Sequence, residues 1–302
     1  MLGLQILLRA INAFGWHGRA SSKRRARREP NLRQVAAWTL LLDLLLACGE
    51  LRLAAVRGRL GYRFHHRRSG LVDVSLDGVL TALPDWGAGA CDLPLFAELP
   101  QAWGLELKAD ERRWLAALPP VPADPLGPAA RVLVAGQIGT SLAEHRRMLP
   151  RLHSELLAGG MWVKRTWPCC ISAAYVLLDD GLHEALQRDD GEAAKNSAWM
   201  GAGNVVTALR TGLPLANAPG DSAHDAVGVT VIHCDGPGEP TTLSYDWRVV
   251  PSIDLPPRYE CMIDRVGQAY ASRFGLTEPL SAPSCDKPPA LATTPLTPHA
   301  AR

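Results

Sequence analysis

No run in this chain is both long enough and apolar enough to be read as a membrane span. The most hydrophobic stretch, VAAWTLLLDLLLAC at residues 35–48, falls short of the ~20 apolar residues that a spanning helix needs, and Asp43 sits in its middle. No secretory leader is expected either, since no apolar segment is followed by a small-residue cleavage site. The seven cysteines are an odd number, with Cys169 and Cys170 adjacent and no Cys-x-x-Cys pair. That pattern excludes a zinc ribbon and a thioredoxin-like couple, and no metal site is expected. Buried thiols in a reducing, cytoplasmic setting are the reading that follows.

A large net charge is also lacking, but the total of +2 conceals a split. Residues 1–35 hold eight Lys/Arg against the single acid Glu29, so the rest of the chain is acidic on balance. The basic block RASSKRRARREP suggests three roles. It could be an organelle transit signal, an arm using residues 19–33 on nucleic acid or an anionic membrane surface, or a partly disordered extension.

What is present is a globular composition, 47% apolar and 21% charged over 302 residues, enough for one large domain or two modest ones. Asn31 and Gln34 make an N-cap pair ahead of a buried helix that Gly49 would stop. Residues 50–83 read as β structure broken at Gly58, Gly61 and Gly70, and residues 108–119 show helical spacing at Trp114, Leu115 and Leu118. Residues 119–130 carry five prolines in twelve positions and mark the best domain boundary.

Beyond it, RVLVAG (131–136) reads as a buried strand. A helix follows, capped by Ser141 and Glu144, closed by Gly159–Gly160, and kinked or split at Pro150. MWVKRTW reads as the next strand and GLHEALQRDD as a short helix. Residues 226–234 and 241–250 suggest a hairpin. Residues 258–274 suggest a late helix with Cys261, Val266 and Tyr270 inward and Gly275 as its stop. The expected architecture is α/β, with a mostly parallel sheet in a C-terminal unit (131–276) and a smaller α+β unit before it (31–118). A basic arm (1–30), partly disordered, precedes them, and a disordered Pro-rich tail (277–302) follows.

The stretch GAGNVVTALRTGLPLANAPGD, residues 201–221, carries the leading functional expectation. A Gly-Ala-Gly turn would expose backbone N–H groups, and a helix starting there would aim its positive end at an anion. The spacing of Gly201-Ala202-Gly203, Ala208-Leu209, Gly212, Pro214 and Pro219 resembles the nucleotide-sugar-binding segment of GT-B glycosyltransferases, over residues 131–225. The resemblance implies a nucleotide- or nucleotide-sugar-binding protein, with a glycosyltransferase as its concrete version and ligand contacts at Gly201, Ala202, Gly203 and Asn204. This chain has Trp199-Met200 where that family has His-Gly, Asn204 where it has Thr, and Ala223-His224 where it has Asp-Gln. Asp221, His224 and Asp225 are the nearby substitutes. The helix start would stabilise charge growing on a leaving diphosphate; the sequence names no base and no cofactor.

A second pattern, Asp73-x-Ser75-x-x-Gly78 with Arg59 and Arg63 upstream, resembles the phosphate-clamping motif of PilZ domains. It implies the alternative of a non-enzymatic module for cyclic di-GMP or nucleic acid, its arginine forks gripping phosphate. Arg24 and Arg28 share the arginine spacing. His65-His66 alternate across a strand and so do not converge on one metal. His233-Cys234-Asp235 is a candidate catalytic Cys–His fragment at a strand end, and Trp162, Trp167 and Trp199 suggest either a ring-binding pocket or core. A structural or interaction protein without a small-molecule site completes the alternatives.

Overall fold

The computed structural model describes residues 1–14, 31–68, 74–83, 93–124, 131–142, 145–180, 191–233, 240–244 and 258–275. The apolar run forms α2 (Leu32–Ala47), and Asn31 caps it by accepting the Gln34 N–H at 2.8 Å. Nine of its apolar residues, Thr39 and Asp43 are buried, because α2 lies between other elements and not at the surface. Gly49 does not end this part of the chain. It opens α3 (Gly49–Val56), so helix replaces the first part of the expected β region.

The first residues of the expected basic, partly disordered arm are helical. Leu2–Ala13 form α1, which buries Leu4, Ile6, Leu7, Ala10 and Ile11 against α2. Gly3 permits the close crossing, since a Cβ there would lie 2.3 Å from the Thr39 carbonyl oxygen. Asp43 is the partner of this helix start. Its carboxylate accepts the Gly3 N–H at 2.8 Å and the Leu4 N–H at 3.3 Å, two donors that a helix leaves without intrahelical acceptors. An acid in an apolar helix is thus a cap for its neighbour. The lysine- and arginine-rich stretch between α1 and α2, which includes Arg24 and Arg28, lies outside the described residues.

Six strands build one mixed sheet in chain order: β1 (Leu60–Arg68), β2 (Val74–Ala82), β3 (Arg131–Ser141), β4 (Ile171–Asp179), β5 (Ala226–His233) and β6 (Thr242–Leu243). β3, β4 and β5 are parallel, whereas β1–β2, β2–β3 and β5–β6 are antiparallel. A mostly parallel sheet is therefore a correction: the parallel strands are continued on both sides by antiparallel ones. Strands from both sides of the proline-rich stretch join in this sheet, because Gly78 of β2 pairs with Gly136 of β3.

The short helices α4 (Leu99–Ala102) and α5 (Ala109–Ala116) precede β3. The parallel strands are connected through α6 (His145–Thr166) and α7 (Gly191–Gly212), and α8 (Tyr259–Phe274) closes the described chain. One face of the sheet carries α1, α2 and α8; the other carries α6 and α7. The expected helix break at Gly159–Gly160 is absent, and MWVKRT is helix instead of strand. These glycines serve approach: a Cβ on Gly159 would sit 1.7 Å from Gln137 Nε2, and one on Gly160 2.9 Å from His224 Nε2. Pro150 lies exposed near the start of the same helix without splitting it. Ser141 ends β3 instead of capping α6, Glu144 lies outside the described residues, and the strand that follows α6 is ISAAYVLLD. The late helix is as expected, with Val266 and Tyr270 buried, Cys261 half-buried and Gly275 at its end. The GLHEALQRDD segment and residues 276–302 lie outside the described residues.

Candidate functional site

The Gly-Ala-Gly segment does not form a turn. Gly201, Ala202, Gly203 and Asn204 lie inside the 22-residue α7, about three turns from its start. Their N–H groups belong to the interior of the helix ladder and are not the free donors of a first turn. Gly201 and Ala202 are buried and Asn204 is exposed. Ala202, Val205, Val206 and Leu209 form the stripe that packs on α6 and the sheet. The physical reason is period: apolar positions at 202, 205, 206 and 209 satisfy a helix face, and packing offsets the weak helix propensity of two glycines. Asp221 shapes the loop beyond, accepting N–H bonds from Asn217 (2.8 Å) and Ala218 (2.9 Å), which hold its carboxyl below the usual range.

His224 and Asp225, expected beside a ligand, are instead buried at the amino ends of β4 and β5. His224 Nε2–H donates to the Leu156 carbonyl at 2.8 Å, so Nδ1 is the acceptor of the Ser172 hydroxyl at 2.9 Å. Burial lowers the ring's pKa to about 4, so it is neutral near pH 7. Asp225 accepts from Lys164 Nζ at 2.5 Å, from the Ser172 N–H at 2.8 Å and from Arg273. Burial alone would raise its pKa, but the Arg273 and Lys164 contacts outweigh that and hold it low. Lys164 and Arg273 also donate to the Cys170 carbonyl. Every ionised member is paired, which is the condition under which charge persists in a core. The cluster ties the last turns of α6 and α8 to β4 and β5. Cys170 belongs to the same interior, its thiol pKa raised by burial.

Of the phosphate-motif residues, Gly78 lies in β2 beneath α2, where a Cβ would meet Ala37 Cβ at 3.0 Å. It is a packing glycine. Ser75 pairs with Arg67 in the β1–β2 ladder, and Asp73 lies outside the described residues. Arg59 precedes β1, its N–H bonded to the Ala54 carbonyl, and Arg63 lies within β1. Arg33, the last basic residue of the presumed arm, pairs with Asp77 at 3.1 Å. Trp162 and Trp167 meet edge to face at 5.4 Å against a small apolar cluster, so they are core packing. Trp199 is in α7.

At the opposite, carboxyl end of the parallel strands lies a pair that the sequence reading only touched. Asp180 follows β4, and His233 ends β5. The His233 Nδ1 lies 2.9 and 3.1 Å from the two Asp180 carboxylate oxygens. Register brings them together, since Asp179 pairs with Ile232 and both side chains fall one step further on. The Asp180 N–H donates to the Ile232 carbonyl at 2.9 Å, fixing the carboxylate's backbone. Asp180 is 2% exposed, while the His233 side chain is 23% exposed. Ser141 ends the neighbouring β3, paired with Leu178 two residues before Asp180. Ligands of α/β sheets characteristically sit outside the carboxyl ends of parallel strands. His233 was visible in the sequence as part of His-Cys-Asp, but its partner proved to be Asp180, 53 residues away; Cys234 and Asp235 lie outside the described residues. Among the described residues no group of three His, Cys, Asp or Glu could hold a metal ion, and no helix is long and apolar enough to cross a membrane. No family model, no curated protein and no solved structure matches the chain.

Proposed function

We propose that the protein is an enzyme acting at the carboxyl edge of β3–β5, with Asp180 and His233 as its proton-transfer pair. The observation that carries this reading is a carboxylate, almost fully buried, held on Nδ1 of a partly exposed histidine. An Nδ1–H donated to Asp180 leaves the lone pair of the neutral ring on Nε2. Nε2 then takes the proton of the attacking hydroxyl as its oxygen bonds the sugar carbon and the nucleoside diphosphate leaves as an anion, Asp180 offsets the imidazolium charge, and the ring returns its proton to solvent. The substrate class is a nucleotide or nucleotide-sugar, with glycosyl transfer as the concrete reaction. α6 starts four residues after β3 ends, so the positive end of its dipole faces the same edge. The Gly201 segment has no part in this reading.

The test is a panel of UDP-, GDP- and dTDP-sugars, read by melting temperature and by release of the nucleoside diphosphate. His233→Ala and Asp180→Asn should each lower kcat by ~10²–10⁴-fold with little change in melting temperature. Full turnover by His233→Ala would sink the catalytic role, and a panel without binding or release would sink the substrate class.

A further inference from the structure

β6 flanks the proposed pair on the side away from Asp180, since the sheet runs β4, β5, β6. Register sets Thr242 of β6 directly across from His233. Opposed residues of an antiparallel pair share a face, with Cβ atoms ~4.5–5.5 Å apart. That face is the α6/α7 side, because Val227, Val229 and Val231 of β5 alternate onto it and His233 is next in step. Asp180 holds the Nδ1 edge of the ring from the β4 side. The opposite edge, which leads to Nε2, is therefore turned toward β6 and Thr242. Thr242 is exposed, and no hydrogen bond engages its hydroxyl among the described residues.

The neighbours of Thr242 hold it in place. Thr241 points to the other face, where Asn12 Oδ1 of α1 accepts its N–H at 2.8 Å and its hydroxyl at 2.7 Å. On the other side the Ser244 N–H donates to the Val231 carbonyl at 2.9 Å. A two-residue strand would otherwise fray at the sheet edge, and these bonds fix it from both ends. The result is a hydroxyl, both donor and acceptor, set beside the nitrogen that deprotonates the attacking group. Nε2 engages the attacking hydroxyl itself, so Thr242 is left for a second hydroxyl on the same molecule. We infer, resting on the carboxyl-edge reading, that Thr242 binds the acceptor substrate and selects one with a hydroxyl next to the attacking one, as a carbohydrate has. Asn12 is the positioning residue behind it.

The test follows nucleoside diphosphate release from the UDP-, GDP- and dTDP-sugar panel with two acceptors. Methyl glucoside has neighbouring hydroxyls, and 1-butanol has one. The unmodified chain should take methyl glucoside with the lower KM. Thr242→Val should raise that KM ~3–10-fold at unchanged kcat, as one lost hydrogen bond would, and leave the 1-butanol KM alone. Its melting temperature should not move, because the side chain is exposed. Thr242→Ser should match the unmodified chain. Asn12→Ala should raise the same KM, and Asn12→Asp, which keeps an acceptor oxygen, should restore it. Release that depends on His233 but shows no preference for methyl glucoside, or no KM change in Thr242→Val, overturns this inference alone. Release that survives His233→Ala, or none with either acceptor, overturns the carboxyl-edge reading and this inference with it.

Discussion

His224 shows how a residue of ordinary chemistry becomes a structural part through its neighbours. Its ring is neutral in the fold, with a pKa of about 4 against 6.5 for an unperturbed histidine. The unfolded chain therefore binds the extra proton first. Stability is full above pH 6.5 and falls as the pH drops toward 4, by about 3 kcal/mol over that window. His224→Gln, which can keep one of the two bonds, should flatten this part of a urea-denaturation profile; an unchanged slope would place the acid sensitivity elsewhere. Asp225 adds a lower limb, since its depressed pKa gives stability above the ordinary carboxylate range that is lost as pH falls through the folded value.

Lys164→Met should cost about 3–5 kcal/mol, because it removes one of two cations and leaves Asp225 buried with Arg273 as its remaining charged partner. Chemical denaturation reads that loss, and a change below about 1 kcal/mol would mean that Arg273 suffices. Gly160→Ala should cost about 1–3 kcal/mol, since the new methyl meets the fixed His224 ring at 2.9 Å.

At the scale of elements, α1 makes the sharpest claim. It contributes Leu4, Ile6, Leu7 and Ile11 to the main core, Asn12 accepts from the Thr241 N–H at 2.8 Å, and Arg9 pairs with Glu111. Burying four such side chains is worth about 6–12 kcal/mol at 1.5–3 each, comparable to the whole stability of a domain. Deleting residues 1–13 should therefore abolish cooperative unfolding, measured by circular dichroism against denaturant. A deletion variant that still unfolds cooperatively would restore the reading of a detachable arm or cleaved signal.

The same scale shows where sequence patterns were legible. α2 declared itself through Asn31 and an unbroken apolar run, and α8 through its spacing and Gly275. α6 was misread because Gly159–Gly160 looks like a helix end. Only the sheet-side neighbours Gln137 and His224 reveal the pair as contact glycines. The α7 glycines misled likewise, since a Gly-Ala-Gly segment can open a turn or let a helix lie close to its neighbour.

Across the whole molecule, the proline-rich stretch at residues 119–130 invites division into two units, yet β2–β3 pairing crosses it and the largest core draws on both sides. A fragment of residues 131–302 should fail to fold alone, having lost α1, α2 and two strands. A cooperative melt of that fragment would favour two independent units.

What the sequence determined by itself was local: a capped apolar helix, buried β runs at 131–136 and 226–233, and the late helix, because period and capping are written in neighbouring residues. Direction of strand pairing, the cap that Asp43 provides to α1, and the meeting of Asp180 with His233 were decided by tertiary structure. Each joins residues dozens of positions apart, and their proximity depends on register and packing that no local pattern encodes.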